Sequence, residues 1–518
     1  MLVCQPNKAR LVGRIKINIL SNFAGNAWNA LLSLVFVPLY ISLMGVEAYG
    51  LVGFFAVLQG LTACLDFGLS TTVNREMARF SAGNGKLEDA ADLVRTLEIV
   101  YWFLAVVVGL AVFCLAPLIA GKWIHADNIS EAVLRNVVEL MGLVIVFQWP
   151  VSFYSGGMLG LQRQVAVNVV TIIMSTLRNV GVLLVLLYVS SGVMAFFVWQ
   201  TFVSLLTVMI LCALFGKSRP TSQRVSRVSM ESLKSVWRFA VGTNVLSMQG
   251  AIVMQQDKII LSNLVSLEQF GYYSFVSAVA QSIGRLTGPV MTALFPRFSQ
   301  LAETKDNVEL ARLFHGGCQL VAIMIFPIIA VAALFSGDII MAWTGNVAIV
   351  DQSKELFVLM VLGVGMNVVM HMPSILQVSH GWLSLSLKAN TVAVIILVPL
   401  TVAAGIHSGS AGVAAVFLAY NIVQVLVLPH FIHAKLLVND KWKWYVQDVG
   451  LPLVMSFVLV MLMRFVSVKR FGRCETILWL VIVYLITLVS TALITSEGRE
   501  SMKRLFQRLS GWNVCNPG

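Results

Sequence analysis

The residues of this chain whose types and spacing could bind something are polar side chains set inside long apolar runs. Asn18, Asn22, Asn26, Asn29 and Ser33 recur at steps of three or four and share one helical face. An amide facing lipid without a partner costs several kcal/mol, so this face is expected to look into protein or water. An offset of 221 residues carries Asn22 and Asn26 onto Thr243 and Ser247, while Asn29 falls on the small Gly250. Singly, such residues also serve as glue between membrane helices. The two stripes together predict a shared hydrated cavity, lined by groups that can donate and accept hydrogen bonds. Ionisable residues in the same runs cost roughly 2.5–3.5 kcal/mol each at a helix centre and mark pathways, binding sites or paired charges. They are Asp66, Arg178, Asp257, Lys258, Arg285 and His371. Arg285 continues the line of Ser274, Ser277 and Gln281, and a guanidinium can hold an oxyanion through two parallel bonds. Gln281 and Arg285 therefore join the cavity residues, and Asp66, Asp257, Lys258 and His371 are candidates for ion coupling or gating. For Arg178 the expected role is structural, with Glu139 as partner.

Helices spanning a bilayer must position these side chains. Hydrophobic residues make up 58% of the sequence and charged ones 12%, with a mean hydropathy of +0.85. A soluble domain carries about 25% charged residues, so a water-soluble globule is excluded. A spanning helix needs about 20 mainly apolar residues. Such runs lie near 17–43, 48–70, 96–119, 135–160, 166–189, 192–216, 239–264, 269–293, 314–337, 355–379, 385–406, 410–434, 446–466 and 476–496, which predicts about fourteen spans. The first run lacks a signal-peptide cleavage pattern and is expected to be retained, with the mature chain starting near Met1. The net charge of +12 does not point to nucleic acid, because the basic residues sit in alternate loops. Lys8, Arg10, Arg14 and Lys16 precede the first run, and Lys217, Arg219, Arg224, Arg227, Lys234 and Arg238 join the sixth to the seventh. The positive-inside rule then places both termini in the cytoplasm. Arg464, Lys469, Arg470 and Arg473 run against it, between the last two runs.

The segment Glu47-Ala-Tyr-Gly-Leu-Val-Gly-Phe54 recurs as Glu268-Gln-Phe-Gly-Tyr-Tyr-Ser-Phe275, again 221 residues on. An even number of runs separates the copies, so the halves enter the membrane in the same sense, as a parallel repeat about an axis along the membrane normal. The expected architecture is all-α, with two six-helix lobes in a parallel pseudo-twofold repeat plus two extra C-terminal helices. Its parts are an N-lobe over 1–216, a basic cytoplasmic linker over 217–238, a C-lobe over 239–435, and the last two runs with a cytoplasmic tail over 436–518. The scattered cysteines show no metal-ligand spacing, and no nucleotide-binding loop, H-E-x-x-H or G-x-S-x-G motif is present. Neither a catalytic role, a metal nor a cofactor is expected. An ion gradient, the membrane potential or the substrate's own gradient must drive any transport.

The chain resembles the polysaccharide-transporter family of Wzx-like O-antigen flippases, within the superfamily that also holds lipid II flippases and multidrug and toxin extrusion exporters. The resemblance rests on Val37-Pro38-Leu-Tyr40 through Glu47-Ala-Tyr49-Gly50, on Leu65-Asp66-Phe-Gly68-Leu-Ser70 with Arg75, and on Asp257-Lys258-Ile-Ile-Leu261 through Phe270-Gly271-Tyr-Tyr273. It implies two six-helix lobes around a cationic cavity, passing an undecaprenyl-pyrophosphate-linked oligosaccharide from the cytoplasmic to the periplasmic leaflet by alternating access. Its products would be O-antigen, capsule or exopolysaccharide. Proton or sodium coupling and contacts with polysaccharide polymerase or export proteins are further expectations. The competing reading is a cation-coupled multidrug exporter. Subtypes of that class carry an acidic residue in the first helix, whereas no Asp or Glu stands between Arg14 and Glu47. A glycan-joining membrane enzyme would need a larger external loop than this chain offers.

Overall fold

The computed structural model describes residues 35–66, 68–81, 87–218, 248–438, 440–466 and 472–500, together with Ser21, Gly25, Trp28, Asn29, Leu31, Leu32 and Lys503. No strand forms among them, and one isolated bridge joins His125 to Ser266. Nine of the described helices are long and apolar enough to cross a membrane, and the chain is a multi-pass membrane protein. Gly45, at φ 87°, turns α1 (Val35–Met44) into α2 (Val46–Cys64). The other elements of the first half are α3 (Leu69–Ser81), α4 (Leu87–Leu118), α5 (Glu131–Gln148), α6 (Pro150–Gly160), α7 (Gln164–Tyr188) and α8 (Val193–Ser218). Then follow α9 (248–264), α10 (Leu267–Arg285), α11 (Gly288–Thr304), α12 (Asn307–Leu334), α13 (Ser336–Thr344), α14 (Val347–Val369) and α15 (His371–Ser379). The last are α16 (Leu383–Leu436), α17 (Lys441–Lys443), α18 (Leu451–Val466) and α19 (Arg473–Ile494). Gly409, at φ 57° and ψ −141°, breaks the helical path of α16 between the two apolar runs that compose it.

The 221-residue repeat governs where helices break. It carries both ends of α2 onto both ends of α10, each helix being 19 residues long. It also carries the α5–α6 break at Trp149 onto the α14–α15 break at Met370. Proline explains three of these four breaks, because a prolyl nitrogen cannot donate to the carbonyl four residues earlier. Pro289 leaves the Arg285 carbonyl without its donor and Pro373 does the same to Val369, and each of those residues ends its helix. Pro150 withdraws the donor from Val146, two residues before α5 ends. At the fourth break Gly68, at φ 69°, turns the chain into α3.

The repeated motif makes a reciprocal contact. A Cβ added to Gly50 would lie 2.5 Å from the Leu267 carbonyl oxygen, and one added to Gly271 would lie 2.3 Å from that of Val46. The offset of 221 relates Gly50 to Gly271 and Val46 to Leu267, so each copy's glycine receives the first residue of the other copy's helix. Glu47 adds a tie beside it, its Oε1 accepting from the Asp127 and Asn128 backbone N–H groups at 2.6 and 3.0 Å.

The chain divides between Gly271 and Tyr272 into two compact units. The core of the first joins α3, α4, α6 and α8 through Met77, Leu97, Tyr101, Phe153, Tyr154 and Phe215. In the second, the C-terminal helices α18 and α19 seat Val460 and Val483 against Ala330 and Val331 of α12. The gain of about 25 cal/mol per Å² applies to apolar area removed from water, and lipid tails are as apolar as these side chains, so such packing specifies the fit of the helices more than it drives their association.

Candidate functional site

In the first unit the break between α2 and α3 meets the break between α5 and α6 around a cavity of about 400 Å³. Its polar lining is Gln59, Thr62, Asp66, Ser70, Gln148 and Ser152, with Ile145 and Trp149 between them. Asp66 is held in the α2–α3 break, where one carboxylate oxygen accepts from the Ser70 hydroxyl at 2.7 Å. Among the described residues, the other oxygen and the Trp149 indole N–H are buried without a hydrogen bond. Across the cavity the Gln59 amide donates to Gln148 at 2.7 Å. Close packing of α6 on α3 fixes this geometry, because a Cβ at Gly156 would meet the Ser70 carbonyl at 2.7 Å and one at Gly160 that of Asn74 at 2.3 Å. Helix α9 belongs to the same unit; its Gln255 side chain covers Gly60, where a Cβ would lie 2.7 Å from the amide nitrogen.

The second unit repeats the pairing with different chemistry. Its two breaks are joined by Thr287 and His371, whose Oγ1 and Nδ1 lie 2.8 Å apart. The Thr287 hydroxyl donates to the Gly284 carbonyl at 2.9 Å, so the imidazole Nδ1–H is the donor to threonine. Asp66 of the first unit is thus replaced, at the equivalent place, by a hydroxyl bonded to a histidine. Discontinuous helices of this kind build the binding sites of many transporters, because they leave backbone and polar side chains free of the helical ladder.

The residues singled out in the sequence fall as follows. Asn22, Asn26, Thr243 and Ser247 lie outside the described residues, and Asn29 is half-buried. Ser274 and Ser277 are buried, Gln281 donates to Ser277 at 2.8 Å, and Arg285 at the end of this line is exposed. Among the described residues Arg285 forms no hydrogen bond or ion pair. Asp257 is buried on α9 and its neighbour Lys258 is half-buried, as expected for side chains about 100° apart. The expected pairing of Arg178 with Glu139 does not occur. Glu139 binds Arg135, one turn away on its own helix, at 2.9 Å, and Arg178 instead donates to the Ser204 hydroxyl at 3.3 Å.

The model of the polysaccharide biosynthesis protein family matches residues 15–302, more than half of the chain. The chain belongs to this family. A Shigella flexneri protein named as a candidate O-antigen transporter is 20% identical over 307 residues, covering 58% of this chain and 70% of its own length. Among solved structures, the lipid II flippase MurJ in its inward closed conformation superposes with a TM-score of 0.70 at 13% identity, over 91% of this chain and 97% of that one. A multidrug resistance MATE family transporter in an inward-facing conformation gives a TM-score of 0.63 at 16% identity, over 78% and 95% of the two chains. At these identities the likeness is one of fold, and the fold is that of transporters.

For this polysaccharide biosynthesis family member, reading the sequence missed Gln59, Gln148, Trp149 and Thr287. Two signals were available. Gln59 and Gln148 are amides within apolar runs, subject to the argument applied to asparagine, and the prolines at 150 and 289 mark the breaks beside Trp149 and Thr287.

Proposed function

We propose that this protein is a flippase that moves an undecaprenyl-pyrophosphate-linked oligosaccharide from the cytoplasmic to the periplasmic leaflet of a bacterial inner membrane, for assembly of O-antigen, capsule or exopolysaccharide. The carrying observation is Arg285, an exposed guanidinium with no ion pair among the described residues, at the break of a helix whose polar line includes Ser277 and Gln281. A pyrophosphate would satisfy it bidentately. The amides and hydroxyls of the Asp66 cavity, with Asn22, Asn26, Asn29, Thr243 and Ser247, would bind sugar. Asp66, Asp257, Lys258 and His371 would couple the movement to a proton or sodium ion or gate it. Membership of the family and the Shigella relative's name support the same reading.

Arg285→Lys keeps the charge and loses the fork, and Arg285→Ala loses both. Surface polysaccharide should fall slightly for Lys and severely for Ala, at unchanged protein level, with undecaprenyl-linked units accumulating inside the cell. Full display by Arg285→Ala removes this residue from the site. The MATE fold and the carboxylate in the cavity favour a second reading, a cation-coupled drug exporter. It requires that deletion of the protein raise drug sensitivity while polysaccharide stays intact.

A further inference from the structure

The C-terminal part of the chain buries a charged cluster that the transport site does not use. Asp448 is completely buried in a π-helical stretch, Trp444–Gly450. Pro452 has no N–H for the Asp448 carbonyl, which loosens the α-helical ladder there. π-helical turns of this kind are frequent at functional sites. One Asp448 carboxylate oxygen accepts from the Gln319 amide at 2.8 Å, and the other accepts from His315 Nδ1–H. His315 and Gln319 lie one turn apart on α12. Gln319 in turn accepts from the Ser496 hydroxyl at 2.9 Å and the Glu497 N–H at 3.0 Å, just beyond α19. The cluster therefore ties α12 to the chain before α18 and after α19. A buried carboxylate with polar partners is a poor way to gain stability, since apolar residues of similar volume commonly do as well or better. The same helices already pack through Val331, Val460 and Val483.

The imidazole's other nitrogen explains why charges are kept. Among the described residues His315 Nε2 is buried without a hydrogen bond, and it lies 3.6 Å from a carboxylate oxygen of Asp440, whose side chain is 30% exposed. Asp440 thus stands between the outside and an imidazole whose far side rests on a fully buried carboxylate. The other titratable groups facing the cluster are His433 of α16, set edge-on to Phe314 and tilted against Trp444, Cys318, which receives the Trp444 indole N–H, and Glu497 beside Gly316. Lys441 is turned to His430, and Arg312 on α12 is paired with Glu309.

We propose that Asp440, His315 and Asp448 form a reversible proton-binding site that latches the C-terminal helices to α12. A proton arriving by way of Asp440 adds to Nε2, giving an imidazolium held by Asp448 at Nδ1 and by Asp440 at Nε2. When it leaves by the same route, Nε2 presents a lone pair to the Asp440 carboxylate and that hold is lost, while Nδ1–H stays on Asp448. One proton is gained or lost and nothing is oxidised or reduced.

The test is hydrogen–deuterium exchange of the full-length protein in detergent, following the 437–450 segment at pH 5.5 and pH 9 after correction for the intrinsic rates. The wild-type segment should exchange at least about fivefold faster, relative to its intrinsic rate, at the higher pH, as a local opening. Asp440→Asn, at a part-exposed position, and the paired neutral variant His315→Gln/Asp448→Asn, which keeps a hydrogen bond, should each abolish that difference. Asp440→Glu should restore it. A wild-type segment indifferent to pH overturns the proposal, as does an unchanged pH difference in Asp440→Asn. The readout contains no lipid or glycan, so it stands or falls apart from the flippase reading.

Discussion

The Thr287 hydroxyl and His371 Nδ1, 2.8 Å apart, join the two helix breaks of the second unit where the equivalent breaks of the first enclose a cavity around Asp66. One repeat sets a polar cavity at its pair of breaks, and the other joins its pair directly through a threonine–histidine hydrogen bond.

Thr287→Val removes the hydroxyl and leaves a buried imidazole N–H unpaired, which should cost about 1–3 kcal/mol. Thermal unfolding in detergent measures this. Adding His371→Phe, which removes the stranded donor, should recover most of the loss. If the double variant is as unstable as the sum of the two singles, the bond does not join the breaks.

Asp66→Asn preserves the shape and a bond to Ser70 while removing the charge from the cavity. Polysaccharide display should drop by roughly tenfold or more, equivalent to about 1.4 kcal/mol or more, with the protein still present in the membrane. Ser70→Ala leaves the carboxylate in place and should reduce display less. Equal effects of the two would make Asp66 a helix cap and not a participant in transport.

Gly50→Ala and Gly271→Ala each push a methyl group against a backbone carbonyl that cannot swing aside. Both should abolish transport at normal protein level, and cysteines introduced at Glu47 and Asp127, held together in the wild type by the hydrogen bond at 2.6 Å, should crosslink less well in either background. Gly216→Ala, where the added carbon meets nothing within 4 Å among the described residues beyond its own stretch of helix, is the control. Undiminished crosslinking in both glycine variants would show that the contact yields.

A topology reporter fused after Lys217 should report cytoplasm, and one fused after Val265 should report periplasm. The basis is the density of Lys and Arg between the sixth and seventh runs. Reporters found on the same side would break the parallel repeat.

Much of the fold was legible because bilayer burial writes itself into composition over stretches of about 20 residues. The repeat was legible because three residue types, Glu47, Gly50 and Phe54, recur unchanged at Glu268, Gly271 and Phe275. Less of the site could be read. Arg178 looked destined for Glu139 because opposite charges in neighbouring spans attract, but Arg135, one turn away on the same helix, reaches Glu139 at less entropic cost. Asp448 and His315 escaped notice because each stands at the edge of an apolar run, where charge is normally solvated. Only the π-helical turn and the packing of α12 reveal that both are buried.

The reciprocal seating of Gly50 on Leu267 and Gly271 on Val46 has the form of a homodimer contact, in which residue i of one copy meets residue j of the other and the reverse. One half of the chain already holds both the glycine and the helix start that receives it. Within the first unit the two copies of the motif therefore present each other with the same surface twice. The sequences of the two repeats can differ elsewhere, as Asp66 and Thr287 do at matching places, while the glycine and the helix start by which the motif copies meet stay the same in kind.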